Sequence, residues 1–146
     1  MSRTSPPGDP EELPGQAEFT REMGIEMLGP SDDGFVLELE LGPKHMSRAE
    51  RAHGGVLFTM LDTALGRAVL SRLPEGRGCA TVEIKVNYFR PVQSGRIRAV
   101  GRVREITKSL GYAEGHVESA EGKVLARASG TFFLTRTLRQ QERERI

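Results

Sequence analysis

Tryptophan is absent, cysteine occurs once, at Cys79, and aromatic residues make up only 5% of the chain. A lone thiol excludes an internal disulfide framework. The three histidines, His45, His53 and His116, are too scattered to form a cluster with metal-ligand spacing, so no metal site is expected. A bias of charge is missing as well. Lys plus Arg total 21 and Asp plus Glu 20, a formal net charge of +1, which gives no pull toward nucleic acid or an anionic membrane surface. No apolar run is long enough for a signal-peptide core or a spanning helix, and the expectation is a cytoplasmic protein with no membrane or nucleic-acid partner. Phosphate-loop motifs, dinucleotide-binding glycine fingerprints and internal repeats are also lacking.

What is present suits one domain: 146 residues, 37% of them hydrophobic, enough for a modest core. Residues 1–17 are rich in Pro, Gly and acidic residues and read as a flexible lead-in; residues 136–146, "RTLRQQERERI", read as a charged tail. The folded unit is expected to span 18–135. Within it, "GFVLELELG" (34–42) alternates apolar and acidic residues and predicts a half-buried strand. From Gly54 to about Leu73, apolar residues recur at helical spacing (Val56, Leu57, Met60, Leu61, Ala64, Leu65, Ala68, Val69), and Pro74 and Gly76 end the segment. Four strand-like runs follow: "CATVEIKVNYF", "GRIRAVGRVREI", "LGYAEGHVES" and "KVLARASGTFFL", separated by turn sequences. In the first, Val82, Ile84, Val86 and Tyr88 predict one dry face, and Glu83, Lys85 and Asn87 one wet face. One or two early strands, one long buried helix and a four-strand meander make an α+β fold, with an antiparallel sheet curled around the helix.

The stretch "HGGVLFTMLDTALG" (53–66) places Asp62 alone among uncharged residues. A buried carboxylate is costly unless paired, and Phe58, Met60, Leu61 and Leu65 are its neighbours in sequence, which favours a functional role. The plainer account is an exposed stripe shared with Thr59, Thr63 and Gly66, with Asp62 paired to Arg67 or another surface group. Gly54 and Gly55 open the helix, where free N–H groups and the positive end of the dipole can stabilise an oxyanion, or else they make a tight turn. His53 is read first as a loop histidine bonded to nearby backbone.

Order and spacing of His53-Gly54-Gly55 and Asp62, with "VNYFRPV" (86–92) and "KSLGYAEGHV" (108–117), resemble the hotdog-fold acyl-CoA thioesterases, specifically the phenylacetate-degradation (PaaI-like) subfamily. The likeness runs over roughly residues 20–135. It implies a hotdog fold and hydrolysis of an acyl- or aryl-CoA thioester to the free acid and coenzyme A, with no cofactor beyond the substrate. It implies Gly54 as backbone donor with His53 beside it, Asp62 as base or nucleophile, and Thr81 as a hydroxyl holding the water. Six residues before the histidine, where the family usually has a carbonyl-contacting asparagine, this chain has Ser47. Coenzyme A is expected near Tyr88, Phe89, Arg90 and Pro91 and near Lys108, Ser109 and Leu110, with Gly55, Phe58 and Leu61 toward the acyl group. Arg90 and Lys108 read equally well as solvated turn charges.

Asp62 lies eight residues past Gly54, roughly 12 Å along one helix at ~1.5 Å per residue, whereas a base and an oxyanion donor must each reach within ~3 Å of the same reacting group. The spacing predicts two chains per site, packed antiparallel along their helices. The resemblance likewise implies a homodimer, assembled as a homotetramer. The alternative of a different class is a non-catalytic acyl-CoA-binding hotdog domain, a sensor or scaffold. A hydratase or dehydratase on the same fold is disfavoured, because Asp62 has no evident histidine partner.

Overall fold

The computed structural model describes residues 16–32 and 34–135. At its centre is helix α2, Gly54–Leu70, which buries Val56, Leu57, Met60, Leu61, Ala64, Leu65, Ala68 and Val69, the stripe its spacing predicts. The helix stops three residues short of Leu73. The amides of Arg72 and Leu73 bond the carbonyls three residues back, and the Ser71 hydroxyl donates to the Ala68 carbonyl at 2.7 Å, so the last turn tightens before Pro74.

Six strands form one antiparallel sheet: β1 (Glu26–Ser31), β2 (Gly34–Leu41), β3 (Gly78–Tyr88), β4 (Gly95–Ile106), β5 (Leu110–Glu118) and β6 (Val124–Thr135). Their spatial order is β1-β2-β4-β5-β6-β3. The sheet and, among the described residues, one long helix give the expected α+β, hotdog-type architecture. A short helix, α1 (Glu18–Met23), precedes β1 and is an addition to the expected elements; it ends at Gly24 in the left-handed region (φ 86). Of the expected lead-in only Gln16 and Ala17 are described, and 136–146 lie outside the described residues.

Two expectations about the first run after the helix are corrected. Only β4, β5 and β6 form a meander. β3 crosses to the far edge and pairs with β6, from Gly78 opposite Thr135 to Tyr88 opposite Ala126. The chain leaving α2 emerges beside the end of β6, where Arg77 donates to the Thr135 carbonyl, and the open edge there is the one β3 occupies. Nor is one face of β3 dry: Ile84 and Val86 pack on the core, but Val82 is 61% and Tyr88 50% exposed. Among the described residues β3 has a neighbour on one side only, and a bulge between Thr81 and Glu83 breaks the alternation.

Helix and sheet approach closely because glycines lie under α2. A Cβ on Gly101 would sit 2.4 Å from the Ala64 carbonyl oxygen, and one on Gly115 would sit 2.7 Å from the Leu65 side chain. No described helix is long and apolar enough to cross a membrane.

Candidate active site

The start of α2 is fixed by its own histidine. His53 is the N-cap, and its Nδ1 accepts the Gly55 N–H at 2.9 Å, while the Val56 N–H bonds the His53 carbonyl at 2.9 Å. Nδ1 can accept only if the ring proton is on Nε2, so the exposed ring edge presents a donor. Of the first three amides of the helix, the Gly54 N–H is the one with no acceptor among the described residues. The Tyr88 hydroxyl donates to the Gly54 carbonyl at 2.7 Å and braces the same residue from β3; partial burial pushes that phenol up, which keeps its proton in place.

Ser47 sits in the preceding turn. Its amide donates to the Arg51 carbonyl at 2.7 Å, and its hydroxyl oxygen accepts the Ala49 N–H at 3.3 Å. The serine thus shapes the loop that delivers His53. The neighbouring His45 is buried and structural, its ring held between the Gly42 amide and the Met23 carbonyl.

Asp62 is half-buried rather than enclosed. Met60, Leu61 and Leu65 turn into the core, and each is 0% exposed, so the expectation that Leu61 lines the substrate pocket does not hold. Phe58, 41% exposed, shares the open face with Asp62. That face is the stripe with Thr59, Thr63 and Gly66, but the partner of Asp62 comes from β3: the Thr81 hydroxyl donates to its Oδ1 at 2.8 Å. Thr59 and Thr63 spend their hydroxyl protons on the helix carbonyls of Gly55 and Thr59. Around this pair opens a cavity of about 710 Å³. It runs from Phe58 past Gly66 and Cys79 to Arg67, Leu70 and Arg77.

A second cavity, of about 330 Å³, lies at the other end of β3 between Gly54, Arg51, Tyr88, Phe89, Arg90 and Pro91. Phe89 and Arg90 continue into a third, of about 640 Å³, with Lys123 and Arg127. Arg90 donates to the Val124 carbonyl at 2.6 Å, which anchors the guanidinium at this rim. Lys108 and Ser109 lie in the β4–β5 turn and Leu110 opens β5; Leu110 pairs with Phe133, which pairs with Ala80, so this turn belongs to the Thr81 end. Thr81 and Tyr88 are seven residues apart, about 24 Å at ~3.4 Å per strand residue. One chain therefore brings together Asp62, Thr81 and Phe58, and separately Gly54, Tyr88, Phe89 and Arg90, but not the two sets.

A family model described as the thioesterase superfamily matches residues 50–126, from the turn before His53 to the early part of β6. The chain belongs to this superfamily. It is a thioester hydrolase of the hotdog fold, and solved structures agree with that placement. BH2602 from Bacillus halodurans, determined with CoA, is 30% identical over 86% of this chain and 83% of its own, at a TM-score of 0.79. PA5202, a conserved protein of Pseudomonas aeruginosa, is 28% identical over 82% of this chain and 95% of its own, at 0.78. A single-site mutant of the phenylacetic acid degradation protein PaaI from Thermus thermophilus is 28% identical over 79% and 96%, at 0.71, and the PaaI-like subfamily fits.

In a thioesterase, the two separated ends of β3 offer complementary chemistry: an unused amide at a helix N-terminus, and a carboxylate oriented by a hydroxyl. Sequence reasoning missed the cations Arg51, Lys123 and Arg127 beside Arg90. Only the β3–β6 pairing, invisible in the sequence order, brings 123–127 next to Arg90.

Proposed function

We propose that the chain hydrolyses acyl-CoA thioesters in a site completed by two copies, one contributing Gly54 and the other Asp62. The observation that carries this reading is the division of the site. Asp62 with Thr81 and the Gly54 amide occupy different cavities of one chain, each on the flank of α2 and of the β3 edge that has no partner among the described residues. Phe58, Val82, Tyr88 and Phe89 are exposed along that flank, an apolar surface suited to a second copy. Antiparallel packing sets one chain's Arg90 end against the other's Lys108 end, so the two expected coenzyme A neighbourhoods meet across the pair. The cations Arg90, Lys123 and Arg127 suit the phosphates of coenzyme A, and the solved neighbour carrying CoA supports that ligand.

In the proposed reaction the thioester carbonyl accepts a hydrogen bond from the Gly54 N–H at the positive end of α2. Thr81 occupies Asp62 Oδ1, and Oδ2 takes a proton from water as the water oxygen bonds to the carbonyl carbon. The tetrahedral oxyanion collapses, the carbon–sulfur bond breaks, and the sulfur leaves with the proton held by Asp62. Water and protein groups alone carry these steps. Thiol release measured over a panel of straight-chain, aryl and polar acyl-CoAs tests the reading: saturable release with at least one member is expected, and no release from any would overturn it.

A further inference from the structure

The Asp62 cavity contains a charge that hydrolysis does not use. Arg67 lies five residues beyond Asp62 on α2, about 7.5 Å further along the axis, and is half-buried in the wall of the same cavity. Its guanidinium makes no hydrogen bond or ion pair with any described residue. A basic residue in a last turn ordinarily complements the helix dipole by reaching the final carbonyls. Arg67 is in that turn but bonds none of them. The other cation of the cavity, Arg77, is held by the Thr135 and Leu134 carbonyls at 3.2 and 3.5 Å. The same cavity is lined by the apolar side chains of Met27, Leu70 and Phe132 and by Cys79.

An unpaired guanidinium in such a wall is a fork-shaped receptor for a carboxylate. Asp62 at one end and Arg67 at the other also give the cavity a direction, because the anion Asp62 repels a carboxylate that Arg67 attracts. We propose that Arg67 selects acyl groups ending in a carboxylate, so that the preferred substrates are CoA monothioesters of short dicarboxylic acids, bound with the thioester at Asp62 and the free carboxylate at Arg67. This rests on the thioesterase reading and names its substrate class.

The test compares hexanoyl-CoA with adipoyl-CoA, equal in chain length and different only at the distal end. The full chain should favour adipoyl-CoA in kcat/KM by about 10-fold or more, the contribution of a hydrogen bond to a charged group. Arg67→Met, which keeps a long side chain, should cut that ratio by about 10-fold or more, mainly through KM for the diacid. Arg67→Lys, which keeps charge but loses the fork, should retain part of it. Equal use of both substrates by the unmodified chain overturns the role of Arg67 and leaves the thioesterase reading standing, as does an unchanged ratio in a folded Arg67→Met. Hydrolysis of neither substrate, nor of any other thioester, overturns both. The ratio in the unmodified chain needs no variant to fold, and circular dichroism checks the variants.

Discussion

The Thr81 hydroxyl donates to Asp62 Oδ1 at 2.8 Å and ties the edge strand to the middle of the helix. The bond engages one carboxylate oxygen and leaves the other without a hydrogen bond among the described residues, which assigns the two residues different kinds of importance. Asp62→Asn should lower kcat by about 100-fold or more, the low end for a general base. Thr81→Val keeps the shape of the side chain and removes the donor, so it should cost about 10-fold, with recovery in Thr81→Ser. Thioester kinetics on the three variants decide the matter. Near-normal turnover by Asp62→Asn would make that carboxylate structural.

Two chains per site predict complementation between dead variants. Asp62→Asn removes the base, and Gly54→Val crowds the helix start, since even a bare Cβ there meets the Tyr88 ring at 3.4 Å. In a mixed dimer one site collects both lesions and the other neither, so co-refolding should restore up to about a quarter of normal activity if exchange is random. Mixed dimers verified by native mass spectrometry but inactive would place both groups in one chain's site.

Close seating of α2 on the sheet predicts intolerance at Gly101. A Cβ there would lie 2.4 Å from the Ala64 carbonyl oxygen and 2.6 Å from its carbon, both backbone atoms of α2 that can yield only if the helix lifts. Gly101→Ala should lose about 1–3 kcal/mol or more in denaturant unfolding. Gly42→Ala, whose Cβ meets nothing nearer than a His45 ring nitrogen at 4.0 Å, should stay within about 0.5 kcal/mol.

Cys79 reports on the charge of Asp62. Burial first, and then the nearby Asp62 carboxylate, push the thiol up, with Arg67 opposing. Only the thiolate alkylates, so Cys79 should react with iodoacetamide more slowly than free cysteine at mildly alkaline pH. Removing the negative charge in Asp62→Asn should lower the thiol pKa, raise the thiolate fraction at a given pH, and move the rate–pH curve to lower pH. A curve unmoved by that substitution would mean that Asp62 exerts no field at Cys79.

The long helix is legible because Val56 through Val69 repeat at helical spacing, and β2 because Phe35, Leu37, Leu39 and Leu41 alternate. Local period decides such elements. The position of β3 is not legible, since nothing in "CATVEIKVNYF" says that its partner is the last strand rather than the next. Val82 and Tyr88 mislead for the same reason: their apolar character suggests burial, and only the sheet order shows that they lie on an open flank. Leu61 misleads differently. Next to Asp62 in sequence, it is about 100° away around the helix and faces the core. Arg67 reads in the sequence only as a surface partner for Asp62, because the shape of a cavity has no sequence signature.

Because β3 pairs only with β6 among the described strands, the residue that holds Asp62 is out of register with the order of synthesis. Thr81 leaves the ribosome some fifty residues before Phe132, its partner across the ladder. Until then the helix can associate with β1, β2, β4 and β5, while β3 waits as an unpaired segment with Ile84 and Val86 uncovered, a state open to contact with chaperones or with other nascent chains. Competence for chemistry thus arrives last in the life of the polypeptide. A chain cut between Tyr88 and Val124 carries Gly54, Asp62 and Thr81 intact and yet lacks the strand that seats Thr81 beside the helix.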